Sequence, residues 1–198
     1  MSTEILQKYL PETAFGYLKI WFSSHQIHLH ISRARNSKLG DYQRLRDGSH
    51  KITINHNLQP ELFFFVLTHE LAHLIAFHNF KNKRISPHGL EWKQTFREML
   101  HESLAVYSEE LKPEIFRFSR NPKANFMASG PIVKFFYKDD LSDNEVFIEY
   151  LSKEEIFLYK KQNYKILEKL KKNYLCENLQ NGKKYIFKPL AKVEQLKN

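Results

Sequence analysis

The run His69-Glu70-Leu71-Ala72-His73 sets two imidazoles four residues apart, with a carboxyl between them. On a helix that spacing brings both rings to one face, one turn apart, where they can reach a single tetrahedral ion. Glu70 lies about 100° around the helix from His69, off the ligand positions but within reach of a water beside the ion. The chemistry such a set supports is hydrolysis, with Glu70 as general base and one zinc ion per chain as the expected cofactor. In a chain with ten histidines the pattern arises by accident in roughly one sequence in thirty, so its flanks decide. Phe63, Phe64, Phe65, Val66 and Leu67 precede it, and Leu71, Leu74, Ile75 and Phe77 run through and past it. These make a helix that is apolar on nearly every side, where a carboxyl beside two imidazoles is costly unless paired or bound to a metal.

A catalytic zinc takes three protein ligands, so a third must come from elsewhere in the chain. His78 fails on geometry, since five residues beyond His73 it points about 140° away around the helix. His88 follows a loop of about ten residues, long enough to fold back over the motif, with Gly89 giving backbone freedom and Trp92 available to wall the site. Glu91, Glu98, His101 and Glu102 on the following helix compete for the same role. Tyr42 and the histidines are candidates for an oxyanion stabiliser, and the residues alone nominate none of them.

The elements that must hold these groups read as follows. Phe15, Leu18, Ile20 and Trp21 recur at helical spacing within Glu12 to Ser24, and Ile27 to Ile31 alternates like a strand, placing His28 and His30 on one face, read as solvent-facing. A turn around Asn36 to Gly40 leads to a hairpin of Tyr42 to Leu45 and Lys51 to Ile54 about Asp47-Gly48. Pro60 opens the motif helix, and the Ser86-Pro87 step opposes helix before a second one from about Leu90 that carries Trp92, Phe96, Met99 and Leu100 on one stripe. Beyond Pro113 the segments are shorter, aromatic and lysine-rich, with turn signals at Asn121-Pro122, Gly130-Pro131 and Asn181-Gly182. The expected organisation is a core over 1–112 and a tail over 113–198.

Composition narrows the partners. Lys and Arg number 31 against 22 Asp and Glu, and the tail holds 17 of the former and 11 of the latter, so it carries six of the nine excess positive charges. A polyanion such as single- or double-stranded DNA is the partner that fits. Lys169, Lys171 and Lys172, with Tyr159, Tyr164 and Tyr174 interleaved, form one candidate surface, with rings to stack on bases; Lys81, Lys83 and Arg84 form another. The competing reading of the first is an amphipathic helix from about Glu154, with Ile156, Leu167 and Leu170 packed inward. A lone cysteine, Cys176, excludes an internal disulfide and reads as a small packed residue. No apolar stretch is read as a membrane span, and the polar start MSTEILQKYL lacks a secretory pattern, so the expected location is cytoplasmic.

Leu67-Thr68-His69-Glu70-Leu71-Ala72-His73, followed by Pro87-His88-Gly89-Leu90-Glu91-Trp92, resembles the SprT-like family, which includes the Spartan DNA–protein crosslink proteases. Leu39-Gly40-Asp41-Tyr42 and Ile52-Thr53-Ile54-Asn55 are similar to that family's strands before its motif helix, and the likeness runs over about residues 10 to 110. The resemblance implies that the His-Gly histidine, His88, is the third zinc ligand. It also implies an α+β, zincin-like peptidase core, in which a small antiparallel sheet packs on the buried motif helix. Many members add a zinc ribbon with paired cysteines. Here Tyr174 to Pro189 resembles its second hairpin without the metal ligands, so the expected tail is a small α/β appendage whose core Phe135, Phe136, Tyr137, Tyr185 and Phe187 could supply. The function implied is zinc-dependent cleavage of proteins, including DNA-associated or DNA-crosslinked ones. Two rivals stand beside it: a small-peptide peptidase with Glu91 or Glu98 as third ligand, and a DNA-binding protein with a structural zinc.

Overall fold

The computed structural model describes residues 3–23, 25–35, 38–81, 84–125, 129–137, 141–142 and 144–196. The chain divides into two compact units, Met1–Ile132 and Val133–Asn198. The division falls beyond the expected boundary at 112/113. Helix α5 (Lys112–Ser119), in the segment assigned to the tail, belongs to the first unit because its Phe118 packs on Phe65 and Phe96. The architecture is α+β, as the sequence implies.

In the first unit, α1 (Thr3–Leu6) and α2 (Ala14–Phe22) lead into β1 (Ile27–Ser32), β2 (Gly40–Arg44) and β3 (His50–Asn55). The strands form one sheet in the order β1-β3-β2. β2 and β3 are the expected antiparallel hairpin, with Gly48 in the left-handed region at φ 85° where a side chain would strain the turn. β1, however, pairs with β3 in parallel, from Ile27↔His50 to Ser32↔Asn55. The chain reverses direction twice between those strands, so the sheet is mixed rather than wholly antiparallel. His28 and His30 are exposed, as alternation predicts. The turn expected around Asn36 lies partly outside the described residues.

Helix α3 (Pro60–Asn79) carries the motif. The Gln59 side chain accepts from the Glu61 amide at 3.0 Å, capping the first turn beside a proline that has no amide to satisfy. Three consecutive phenylalanines point in three directions, and each is met. Phe63 stacks on Tyr9, Phe64 on Trp21 and Phe65 edge-on to Phe96. All three are fully buried, which explains why the helix is apolar on nearly every side. By length and composition α3 is apolar enough to cross a membrane, contrary to the expectation that no stretch would be, yet 67% of its most apolar window is buried inside the protein. α4 (Leu90–Glu102) packs against it with Trp92, Phe96, Met99 and Leu100 inward, the stripe expected from sequence.

In the second unit, β4 (Glu145–Phe147), β5 (Ile156–Tyr159), β6 (Gln162–Lys169), β7 (Tyr174–Asn178), β8 (Lys184–Phe187) and β9 (Lys192–Gln195) form a six-stranded sheet in the order β4-β9-β5-β6-β7-β8, with every pairing antiparallel. The division between the units falls within helix α6 (Gly130–Tyr137), which begins at the Gly130-Pro131 step read as a turn, because proline suits a first helical turn as well. The helix considered from Glu154 is absent. Phe157, Tyr164 and Ile166 instead face inward at strand spacing, and Lys160 and Lys161 close the β5–β6 hairpin with φ of 49° and 65°. Two lysines in the left-handed region are an unusual turn, and that concealed the hairpin.

The unit's core gathers Ile148, Phe157, Tyr164, Ile166, Tyr174, Cys176, Phe187 and Val193. Of the rings expected there, Phe187 joins this cluster and Phe136 is buried, whereas Tyr185 is 39% exposed. β7 and β8 make the expected hairpin within Tyr174 to Pro189, with Gly182 at φ 67° in its turn and the fully buried Asn178 donating to Gln162 and accepting from the amides of Gln180 and Asn181. Burial pushes the Cys176 thiol up to about 11, so it stays a packed, protonated group.

Candidate metal centre

α3 delivers His69 and His73 to one face, and the loop ahead of α4 brings His88 onto them. The Nε2 atoms of His73 and His88 lie 3.1 Å apart, and those of His88 and His69 lie 3.3 Å apart. Around a tetrahedral zinc with bonds of about 2.0–2.1 Å, ligand nitrogens stand about 3.3 Å from one another, so the three imidazoles fit such an ion without rearrangement. Among the described residues they are the one group of histidine, cysteine or carboxylate side chains that could hold a metal.

The rings are held from behind. Trp92 donates its indole N–H to the His69 carbonyl at 3.4 Å and stacks against His73 with ring centroids 5.4 Å apart. The Pro87 carbonyl accepts from the His73 ring, leaving its other nitrogen free to bind a cation. Burial, reinforced by neighbouring imidazoles, lowers His69 to about 3 and His73 to about 4, and burial also lowers His88. All three are therefore neutral at physiological pH, the form that ligates a metal.

Glu70 stands outside the ligand set and is buried at 7% exposure. Its carboxyl is raised to about 8, first by burial and then by Asp41, while Lys38, Arg35 and the Tyr42 amide pull it down. β2 makes this burial possible. A methyl group at Gly40 would fall 2.6 Å from both Glu70 Oε1 and Val66 Cγ1, so no side chain fits where the strand crosses the carboxyl. Asn55, itself buried, anchors the approach to that strand. Its amide donates to the carbonyls of Arg35 and Lys38, and its oxygen accepts from Arg35 Nε at 2.8 Å. Gly40, Asn55, Arg35 and His50 escaped the sequence reading as site residues. The strands holding the first two read as a hairpin and as resembling those of a family, with no site role for either residue.

The competing ligands are engaged elsewhere. Glu98 accepts from Gln94, His101 meets Ser119 at 2.7 Å, and Glu102 accepts from Trp21. His78 packs edge-on to His25 at 4.8 Å, in agreement with its rejection on helical geometry. Glu91 is not among the residues that converge.

Fold and site together define three histidines, two of them on a buried helix, placed to hold a metal ion, with the buried Glu70 outside their group. The SprT-like family profile matches residues 4–113, more than half of the chain, and the chain belongs to the SprT-like family, whose members are generally linked to metallopeptidase activity. No curated protein and no solved structure matches the chain.

Two outcomes are expected. Alanine at His69, His73 or His88 lowers metal occupancy far below one per chain, while alanine at His78 or His101 leaves it near one; atomic absorption after dialysis reads the difference. The second concerns chelator-treated protein. Below pH 6.5 the unfolded chain takes up protons on these imidazoles that the folded chain resists, His73 until about pH 4 and His69 until about pH 3, so stability falls as pH falls. Glu70 acts with the opposite sign, because the folded chain keeps its proton up to about pH 8 while the unfolded chain loses it near 4.5, so stability falls as pH rises through that window. Three imidazoles outweigh one carboxyl below pH 6.5, and above it Glu70 acts alone. The melting temperature of the metal-free protein should therefore peak near pH 6.5, and Glu70→Gln should flatten its alkaline side.

Proposed function

We propose that this chain is a zinc-dependent endopeptidase, one zinc ion per chain, with His69, His73 and His88 as ligands and Glu70 as the proton-transferring residue. The observation that carries the reading is the convergence of three imidazoles, two of them on α3, with the buried Glu70, which follows His69 in the chain, outside their group. Zinc bound there supplies a Lewis acid that acidifies water and polarises a carbonyl. Glu70 accepts the proton of the attacking water and delivers it to the departing amine. A carboxyl whose affinity for a proton is raised by burial and by Asp41, and held in check by Lys38, Arg35 and the Tyr42 amide, suits both halves of that transfer. The reading with a glutamate as third ligand is disfavoured by where Glu91 and Glu98 lie. A structural zinc would need a fourth protein ligand, and none joins the three among the described residues.

The proposed substrates are proteins, among them proteins bound or crosslinked to DNA, with the basic second unit engaging the nucleic acid. The expected stacking of bases on Tyr164 and Tyr174 is not available to this reading, since both rings are buried. What supports the partner is charge. Lys171 and Lys172 are exposed between β6 and β7, and the Lys169 ammonium lies over the Tyr174 ring at 5.6 Å. Of the alternative basic patch, Lys81 and Arg84 are exposed and Lys83 lies outside the described residues. A lone buried cysteine fits a reducing compartment, and the cytoplasm is the proposed location.

Glu70→Gln should retain zinc and lose cleavage of a protein substrate by about 100-fold or more, and chelation should abolish cleavage in the unaltered chain. Cleavage persisting in the pure variant removes Glu70 from the chemistry. Reversing Lys169, Lys171 and Lys172 to Glu should weaken DNA binding and reduce its dependence on log salt by about three. Zinc content and DNA-independent cleavage should remain, and unchanged DNA affinity would move the binding surface elsewhere.

A further inference from the structure

β2 lies along α3 with alternate residues against one stripe of the helix. Gly40 faces Val66 and Glu70, Tyr42 faces Glu70 and His73, and Arg44 lies over the Phe77 ring. Tyr42 is the middle of these contacts and touches the site in two ways. Its ring lies parallel to His73, with an interplanar angle of 6° and centroids 5.9 Å apart, and its amide donates to the Glu70 carboxylate. His73 is thus stacked by Tyr42 from β2 and by Trp92 from α4. The hydroxyl of Tyr42 does not serve the metal site. It meets Nδ1 of His50 at 3.1 Å, and the His50 ring lies nearly parallel to the phenol at 17°.

We infer that Tyr42 and His50 form a positioning pair for the metal centre, in which His50 fixes the Tyr42 ring and Tyr42 in turn fixes the ligand His73 and the carboxyl of Glu70. The inference rests on the metal-centre reading above and deepens it. Tyr42 is a positioning residue and not an oxyanion stabiliser, because its hydroxyl is engaged with His50 Nδ1. For that bond His50 must present a bare Nδ1. Its surroundings favour the neutral ring, which has one bare nitrogen to offer, since burial with the Arg44 and His78 charges lowers its pKa, and His25 packs against it. His25, at the end of α2, and Phe77 of α3 pack around the same ring. The β2 edge is thereby pinned from both sides, by the glycine contact at one end and by the Tyr42–His50 bond near the other. A hydrogen bond remote from the metal can set the orientation of a ligand because that imidazole has a few degrees of rotation to lose, and outer partners of this kind typically change metal affinity by about 10–100-fold.

The test uses the full chain with zinc, and with cobalt(II) as a spectroscopic stand-in. Tyr42→Phe keeps the ring and deletes the bond, His50→Ala deletes its acceptor, and His50→Gln restores an acceptor. Zinc affinity is measured by chelator competition, and ligand geometry by the visible bands of the cobalt form. Tyr42→Phe and His50→Ala should each weaken zinc binding about tenfold and shift the cobalt bands. The double variant should be no weaker than either single one, since both remove the same bond. His50→Gln should recover most of the affinity, and kcat for a protein substrate should fall in the singles while KM holds. If His50→Ala fails to fold, Tyr42→Phe against His50→Gln decides alone. Unchanged affinity and cobalt bands in Tyr42→Phe, or losses that add in the double variant, overturn the pair while leaving the metal centre standing. An unaltered chain that binds no divalent metal overturns both.

Discussion

The carboxyl of Glu70 and the ring of His69 sit in a helix whose flanks are closed by Phe64, Phe65, Leu67 and Leu71, and the desolvation this imposes governs what surrounds them. A carboxyl deprived of water resists ionisation and imidazoles deprived of water resist protonation. Both tendencies are visible, Glu70 rising to about 8 and His69 falling to about 3. Neutral imidazoles with their nitrogens converging to within 3.1–3.3 Å are suited to bind a cation. The apolar setting therefore prepares a metal site and, beside it, a group ready to hold a proton.

Such burial requires every neighbour to fit. On the α4 side Trp92 and Phe96 close the space around His69, and on the sheet side β2 comes so close that residue 40 can carry no side chain. Asn55 stabilises that approach by satisfying the carbonyls of Arg35 and Lys38, which would otherwise compete for partners near a buried strand end. His88 differs from the other two imidazoles in coming from a loop and being exposed, so the side of the centre it closes is the side open to solvent.

The second unit solves its stability problem by different means. A small sheet closes on a ring-rich core of Phe157, Tyr164, Tyr174 and Phe187, whose aromatic pairs at 5.1–5.7 Å provide dense contact. The same packing removes Tyr164 and Tyr174 from any surface role, while Lys171 and Lys172 stay exposed. Its excess positive charge is thus a property of the exterior, carried by side chains that the core does not require.

Sequence by itself determined the chemistry of the centre. The i, i+4 spacing of His69 and His73 is a helical property, the apolar flanks announce burial, and the motif residues with Pro87-His88-Gly89 carry the family likeness; each is local, so each is legible along the chain. Sequence also yielded β2, β3, α3 and α4, where periodicity and turn residues agree. Only the tertiary structure decided which of His88, Glu91, Glu98, His101 and Glu102 meets the motif histidines, since that depends on how a loop folds back and where α4 docks. It alone decided that β1 runs parallel to β3, that Lys160-Lys161 is a hairpin turn and not part of a helix, and that α5 belongs with the first unit. Gly40, Asn55, Arg35 and His50 became site residues for the same reason, and Tyr42 passed from an oxyanion candidate to a neighbour of His73 and Glu70. Their roles are contacts between elements distant in the chain, and no spacing within a single element encodes them.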